Sequence, residues 1–113
     1  MVIDGYDFKF LYSVGAYLGF QAAKFPQNPK DASERIKTIM GMAVIMSKEY
    51  EDSQALYNSN YDPHYLRPEQ LRAMTMRDFN ALTEEVNKAI EDGQVREVIA
   101  EETNKKKENH GKK

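Results

Sequence analysis

The residues best able to do chemistry are few, and their spacing does not equip them for it. His64 and His110 are the only histidines among 113 residues. His64 sits in Asp62-Pro63-His64, without the further ligands at matched spacing that a metal centre needs. His110 stands in a lysine-rich stretch near the C-terminal end and has no such company either. Cysteine is absent, which excludes disulfides, thiolate nucleophiles and cysteine-ligated zinc. Ser33, Ser47, Ser53 and Ser59 have no histidine–carboxylate arrangement to activate them. Glu84-Glu85 and Glu91-Asp92 look like paired acids, but neighbours on a helix point apart. Gly15 and Gly19 lie inside a helical pattern rather than after a strand, so they form no phosphate loop. These readings yield no catalytic residue, no metal ligand and no cofactor site. They predict a protein that is not an enzyme and takes no small-molecule substrate.

Nucleic acid and membrane are poor partners on the same grounds. The formal net charge of −2 is too small to draw the chain to DNA or to an anionic bilayer. Residues 68–92 read as two helices joined at Thr75, loosely in the manner of a helix-turn-helix. The second of them carries Asp78, Glu84, Glu85, Glu91 and Asp92, which a phosphate backbone repels. The run Lys105-Lys106-Lys107 has no interleaved aromatic and stands among Glu101, Glu102 and Glu108. The longest apolar run, Ile39 to Met46, is interrupted by Gly41 and falls far short of the roughly 20 residues of a membrane span. Asp4 and Asp7 occupy the region where a signal peptide would be basic. The chain is therefore expected to stay in the compartment where it is made.

The elements that position these residues follow from local patterns. Apolar residues make 41% and charged residues 30% of the chain, the balance of one ordinary globular domain. Val2-Ile3, then Asp4-Gly5, then Tyr6, Phe8 and Phe10 alternating with Asp7 and Lys9 predict a hairpin over residues 2–12 with a type I′ turn. Ser13 is placed to cap a helix over 14–25, with Val14, Tyr17, Leu18, Ala22 and Phe25 as its apolar stripe. Gly15 and Gly19 on the same rod suit a close approach by the hairpin or the next helix. Asp31 and Glu34 form a capping-box pattern at the head of a helix over 32–51. Its buried face is Ile36, Ile39, Met40, Ala43, Val44 and Tyr50. Residues 52–66 have no regular pattern, and Asn60 and Pro63 interrupt it. Pro68 opens a short helix over 68–74. Thr75 with Asp78 starts a last one, with Phe79, Leu82, Val86, Ala89 and Ile90 inward, a Glu84–Lys88 pair outward, and Gly93 as its stop. Val95 to Ile99 reads as a strand or a helical turn. The expected fold is thus mainly α: about four helices with an N-terminal β-hairpin over 1–100, and a disordered, charged tail over 101–113.

Two groups of residues remain without a role. Met42, Ile45 and Met46 widen the apolar stripe of the 32–51 helix almost all the way round. Such a helix is either central to the fold or packed against a second chain. Methionine repacks easily and suits an adaptable contact surface. Tyr57, Tyr61 and Tyr65 recur every fourth residue and could act as amphipathic anchors. Both groups are therefore partner-binding candidates, and both have the plainer alternative of belonging to the core.

Taken in order, the segments VIDGYDFKF, YSVGAYLGF, IKTIMGMAVIMSKEY and YLRPEQLRAMTMRDFNALTEEVNKAIEDG, then VREV and a Lys/Glu-rich end, resemble the small tail assembly chaperones of long-tailed phages and prophages of Gram-positive bacteria. The resemblance covers nearly the whole chain. It implies a mainly helical protein of the host bacterial cytoplasm that binds the tape measure protein and helps recruit tail tube subunits, with a possible homo-oligomer, and that is absent from the mature virion. It also implies that a longer form can arise by frameshifting near the lysine-rich end. A structural tail adaptor or completion protein is the alternative reading, followed by a small DNA-binding regulator.

Overall fold

A computed structural model describes the backbone of residues 1–108 and the side-chain environments of residues 1–94. Over the described residues the chain is mainly helical, with four helices and an N-terminal two-stranded hairpin, as the sequence predicts. Strands β1 (Val2–Ile3) and β2 (Tyr6–Asp7) pair antiparallel, with Val2 opposite Asp7 and Ile3 opposite Tyr6. Asp4 and Gly5 have φ of 51° and 81°, the two left-handed positions that a type I′ turn demands. Ile3 and Phe8 are buried, Tyr6 and Phe10 half-buried, and Asp7 and Lys9 exposed, so the alternation orients the ribbon. The pairing is shorter than the expected 2–12. Beyond it the extended chain leans on a helix instead, where the Leu11 N–H donates to the Met46 carbonyl at 3.1 Å.

Helix α1 (Val14–Ala23) starts where Ser13 Oγ accepts from the Ala16 N–H and ends at Lys24 with φ 56°. Its orientation overturns the expected stripe. Val14, Tyr17 and Leu18 are 73%, 51% and 59% exposed, and Ala22 is exposed too. The inward face is Gly15, Ala16, Gly19 and Phe20. A Cβ at Gly19 would sit 2.9 Å from Ile45 Cγ2, and one at Gly15 would collide with the Glu49 carboxyl. The glycines therefore set the face, because only they let this rod approach its neighbour so closely. Of the expected stripe, Phe25 alone turns in, against Gly41 and Phe20.

Helix α2 (Ala32–Tyr57) is the centre. Asp31 caps it by accepting from the Glu34 N–H at 2.8 Å, while Glu34 reaches back to the Lys30 N–H at 3.3 Å, one residue beyond the usual box. The helix runs six residues past the expected end at 51, because residues 52–57 contain no breaker and Lys48 pairs with Asp52 at i, i+4. The irregular segment shrinks to 58–67. Between Thr38 and Ser53 only Lys48 is exposed. α1 lies antiparallel along α2, with Gly15 at Glu49 and Phe25 at Gly41.

Helix α3 (Pro68–Arg72) opens on proline and is shorter than expected. The Gln70 side chain accepts from the Arg67 N–H and donates to Asp4, tying α3 to the hairpin turn. Helix α4 (Met76–Glu108) is capped by Thr75 Oγ1, which accepts from the Asp78 N–H. Phe79, Leu82 and Val86 are buried and Ala89 and Ile90 half-buried. Glu84 and Lys88 do not form the expected ion pair. Nor does Gly93 end the helix. Its missing Cβ makes room for Tyr12, whose carbonyl oxygen a Cβ there would meet at 2.8 Å. The helix thus carries on through Val95–Ile99. The flexible tail expected over 101–113 falls where side chains are not described, and residues 109–113 lie outside the described residues. Among the described residues no helix is long and apolar enough to cross a membrane.

Gly93→Ala separates packing from helix propensity. At an unconstrained helical site the change would stabilise by about 1 kcal/mol. Here the clash is with backbone, so urea denaturation should show a lower midpoint than the wild type. A raised midpoint would show that Tyr12 does not need the space.

Candidate functional site

An apolar concavity is built from one helix face and one corner. Ser33, Ile36, Lys37 and Met40 fall at i, i+3, i+4 and i+7, a single stripe on the first turns of α2. Opposite them, Leu71 and Arg72 at the end of α3 lead through Met74 to Met76 and Phe79 at the start of α4. The corner is tight: the Ala73 N–H donates to the Glu69 carbonyl and the Met74 N–H to the Leu71 carbonyl. Thr75, spent on capping α4, turns Met74 and Met76 onto the same groove. The groove holds about 710 Å³, within the range of real binding sites. Leu71 and Phe79 form its buried floor, and Met76 is 61% exposed at its lip. A second concavity, about 610 Å³ between the extended segment 7–12 and α4, sets Asp7, Glu85 and Asp92 with Lys9 and Lys88 around Phe8, Phe10 and Leu11, and is the more polar of the two.

The residues singled out in the sequence do not converge on this groove. Met46 is fully buried, and Met42 and Ile45 pack half-buried against the core, so all three serve the interior in this fold. That is the plainer of the two readings for a helix apolar all round. Tyr57 is 86% exposed at the end of α2. Tyr61 and Tyr65 instead use their hydroxyls on α2 itself, Tyr61 on Glu51 at 2.8 Å and Tyr65 on Asp52 at 2.6 Å. They pin the loop rather than forming one outward-facing set. In the groove, Ile36, Met40 and Phe79 were legible as apolar faces, whereas Leu71, Met74 and Met76 were not. The available signal was Met74-Thr75-Met76, two flexible apolar side chains either side of a helix cap.

Glu51 carries no signal in its local sequence. It is 1% exposed, yet its carboxyl group accepts from three donors: Tyr6 Oη at 2.9 Å, Tyr61 Oη at 2.8 Å and the His64 N–H at 2.7 Å. The two phenols are themselves 3.1 Å apart. His64 stacks on Tyr6 with ring centroids 4.3 Å apart, so the loop histidine has a packing role. The Tyr61 hydroxyl is pushed well above its ordinary 10.0 by the Tyr6 hydroxyl beside it, by burial and by Glu51. For Tyr6 the neighbouring Tyr61 hydroxyl acts downward, but burial and Glu51 outweigh it and the net shift is up. Outside this network the carboxyl of Asp52 is held low by Lys48 and then by Tyr65, while Asp52 raises both of theirs. Ser47 Oγ, one turn before Glu51, is buried with no hydrogen-bond partner. No three side chains of the kinds that hold metals cluster among the described residues. No protein-family model, curated protein or solved structure matches the chain.

Removing the Glu51 acceptor leaves three donors stranded, each worth about 1–3 kcal/mol. Glu51→Ala should therefore cost about 3 kcal/mol or more in urea denaturation, whereas Ser47→Ala, which deletes an orphan hydroxyl, should be neutral or stabilising. The tyrosines set an alkaline limit. Their folded-state pKa values lie above the unfolded 10.0, so their contribution is complete below pH 10.0 and declines as pH rises further. The denaturation midpoint should fall above that pH, and less steeply in Tyr61→Phe; an equal fall in both proteins would contradict the network.

Proposed function

We propose that this chain is a phage tail assembly chaperone that binds the tape measure protein and helps recruit tail tube subunits during tail morphogenesis. Two things support the reading: the succession of segments that resembles that family, and the methionine-lined groove. The groove carries most of the weight. It is bounded by helical walls, floored by Leu71 and Phe79, and lipped by the exposed Met76, a form that suits docking of a helix. Methionine on three of its positions, Met40, Met74 and Met76, suits a client whose successive helical stretches differ in side-chain shape. The outward stripe of α1, with Val14, Tyr17 and Leu18 exposed, offers a further apolar surface for a tube subunit or a second copy.

On this reading the work is adhesion in the host cytoplasm, and the protein leaves before the particle is complete. Co-expression of the tagged chain with the products of neighbouring genes should retain a very long helical protein. Mass spectrometry of purified particles should then find no trace of the chain. A chain present in finished particles at fixed stoichiometry would instead identify a structural adaptor, and failure to retain any long helical product would remove the chaperone reading.

A further inference from the structure

We propose that the groove takes an amphipathic α-helix of another protein, and specifically one whose apolar face is edged by aspartate and glutamate. This inference rests on the protein-binding reading above and adds the chemistry of the client. Two charged side chains line the groove, Lys37 on the α2 wall and Arg72 on the facing wall, and no carboxylate lines it. Both are exposed, and neither forms an ion pair with a described residue. An apolar floor between two cations is the complement of an apolar stripe between two rows of carboxylates. Beside an apolar floor such pairs are less screened than at open surface, and arginine adds bidentate geometry toward a carboxylate.

The walls also select the client's conformation. The α2 wall presents ridges at i, i+3, i+4 and i+7, which interlock with the same spacing on a facing helix. No strand edge borders the groove, and Phe79 is the one aromatic in its lining, so neither strand addition nor polyproline docking is provided for. A second copy of this chain is a weaker occupant. Among the described residues, the three-residue exposed apolar stripe Val14, Tyr17 and Leu18 lies on α1, whose ten residues VGAYLGFQAA include no aspartate or glutamate. That stripe would fill the floor and leave both cations unmatched.

The test uses the full chain and two synthetic fluorescent helical peptides. Both carry leucines at i, i+3, i+4 and i+7; one is edged with glutamates and the other with lysines. Fluorescence anisotropy should show the glutamate peptide binding at least about tenfold more tightly, with an affinity that falls as salt rises. The double variant Lys37→Glu/Arg72→Glu should reverse the preference. Met76→Glu, at an exposed position, should weaken binding of the glutamate peptide by about tenfold or more, with circular dichroism confirming an unchanged helical fold in each variant. Equal binding of the two peptides, no binding of either, or an unreversed preference in the double variant overturns the proposal. So does sedimentation showing a self-association that Met76→Glu abolishes, since the occupant is then a second copy. The co-expression experiment keeps the two readings apart. If the charge-reversed variant still retains the long helical product, the chaperone reading stands and this inference falls. If the unaltered chain retains none, the chaperone reading falls and the peptides alone judge the groove.

Discussion

The middle of α2 must be covered on every side, and the rest of the fold is shaped by how little chain there is to cover it. A helix apolar around nearly its whole circumference has no stable place at a surface. The covers are thin: a four-residue β-ribbon with its extended continuation, one short helix, and the α3–α4 corner. Each lies directly on α2, and thin covers must come close to be effective. This explains the small residues at the closest contacts: Gly15, Ala16 and Gly19 on α1, Gly41 and Ala43 on α2, and Gly93 where α4 meets Tyr12. It also explains the exposed stripe on α1. A helix that turns its glycines inward must turn its neighbouring positions, Val14 and Leu18, outward.

At the far end of α2 the cover changes from apolar packing to hydrogen bonding. Glu51 is buried by the hairpin's Tyr6 and by the loop residues Tyr61 and His64. A carboxyl group in such a place is costly unless every lone pair facing protein is used, and three donors meet that demand. The donors are supplied by two segments far apart in sequence, so the network fixes where both lie on α2. A greasy contact at the same place would tolerate sliding; directional bonds do not. The loop over 58–67 is thereby held to one course, which brings Leu66 into the core and delivers the chain to Pro68 at the start of α3.

Features decided by neighbouring residues were legible in the sequence, and features decided by choosing between two faces or by distant partners were not. Asp4-Gly5, Ser13, Asp31 and Thr75 act through bonds within four residues, and each does what its pattern implies. The face of Phe79, Leu82 and Val86 was likewise plain, since no competing face is apolar. On α1 two helical periodicities run one position apart, and hydrophobicity alone favours the wrong one. Gly93 carries an ambiguous signal: glycine marks a helix end and equally a close crossing. Glu51 is one of 18 acidic residues, and nothing local sets it apart, because Tyr6 lies 45 residues away. The groove needs a corner whose direction the sequence does not encode in any one segment.

The position of the groove follows from the same shortage of cover. At 1.5 Å per residue, α1 spans about 15 Å and α2 about 39 Å. α1 begins beside Glu49, and Phe25, two residues past its end, packs at Gly41, so the turns of α2 before Gly41 extend beyond it. There the stripe Ser33, Ile36, Lys37 and Met40 meets the α3–α4 corner on one side only. No described side chain fills the remaining side. A core position left so open would be expected to collapse or to carry polar residues. This one keeps methionines, which hold apolar surface without committing to one shape, and places a cation on each wall. Incomplete cover on α2 thus leaves the apolar floor of Leu71 and Phe79 open between Lys37 on one wall and Arg72 on the other.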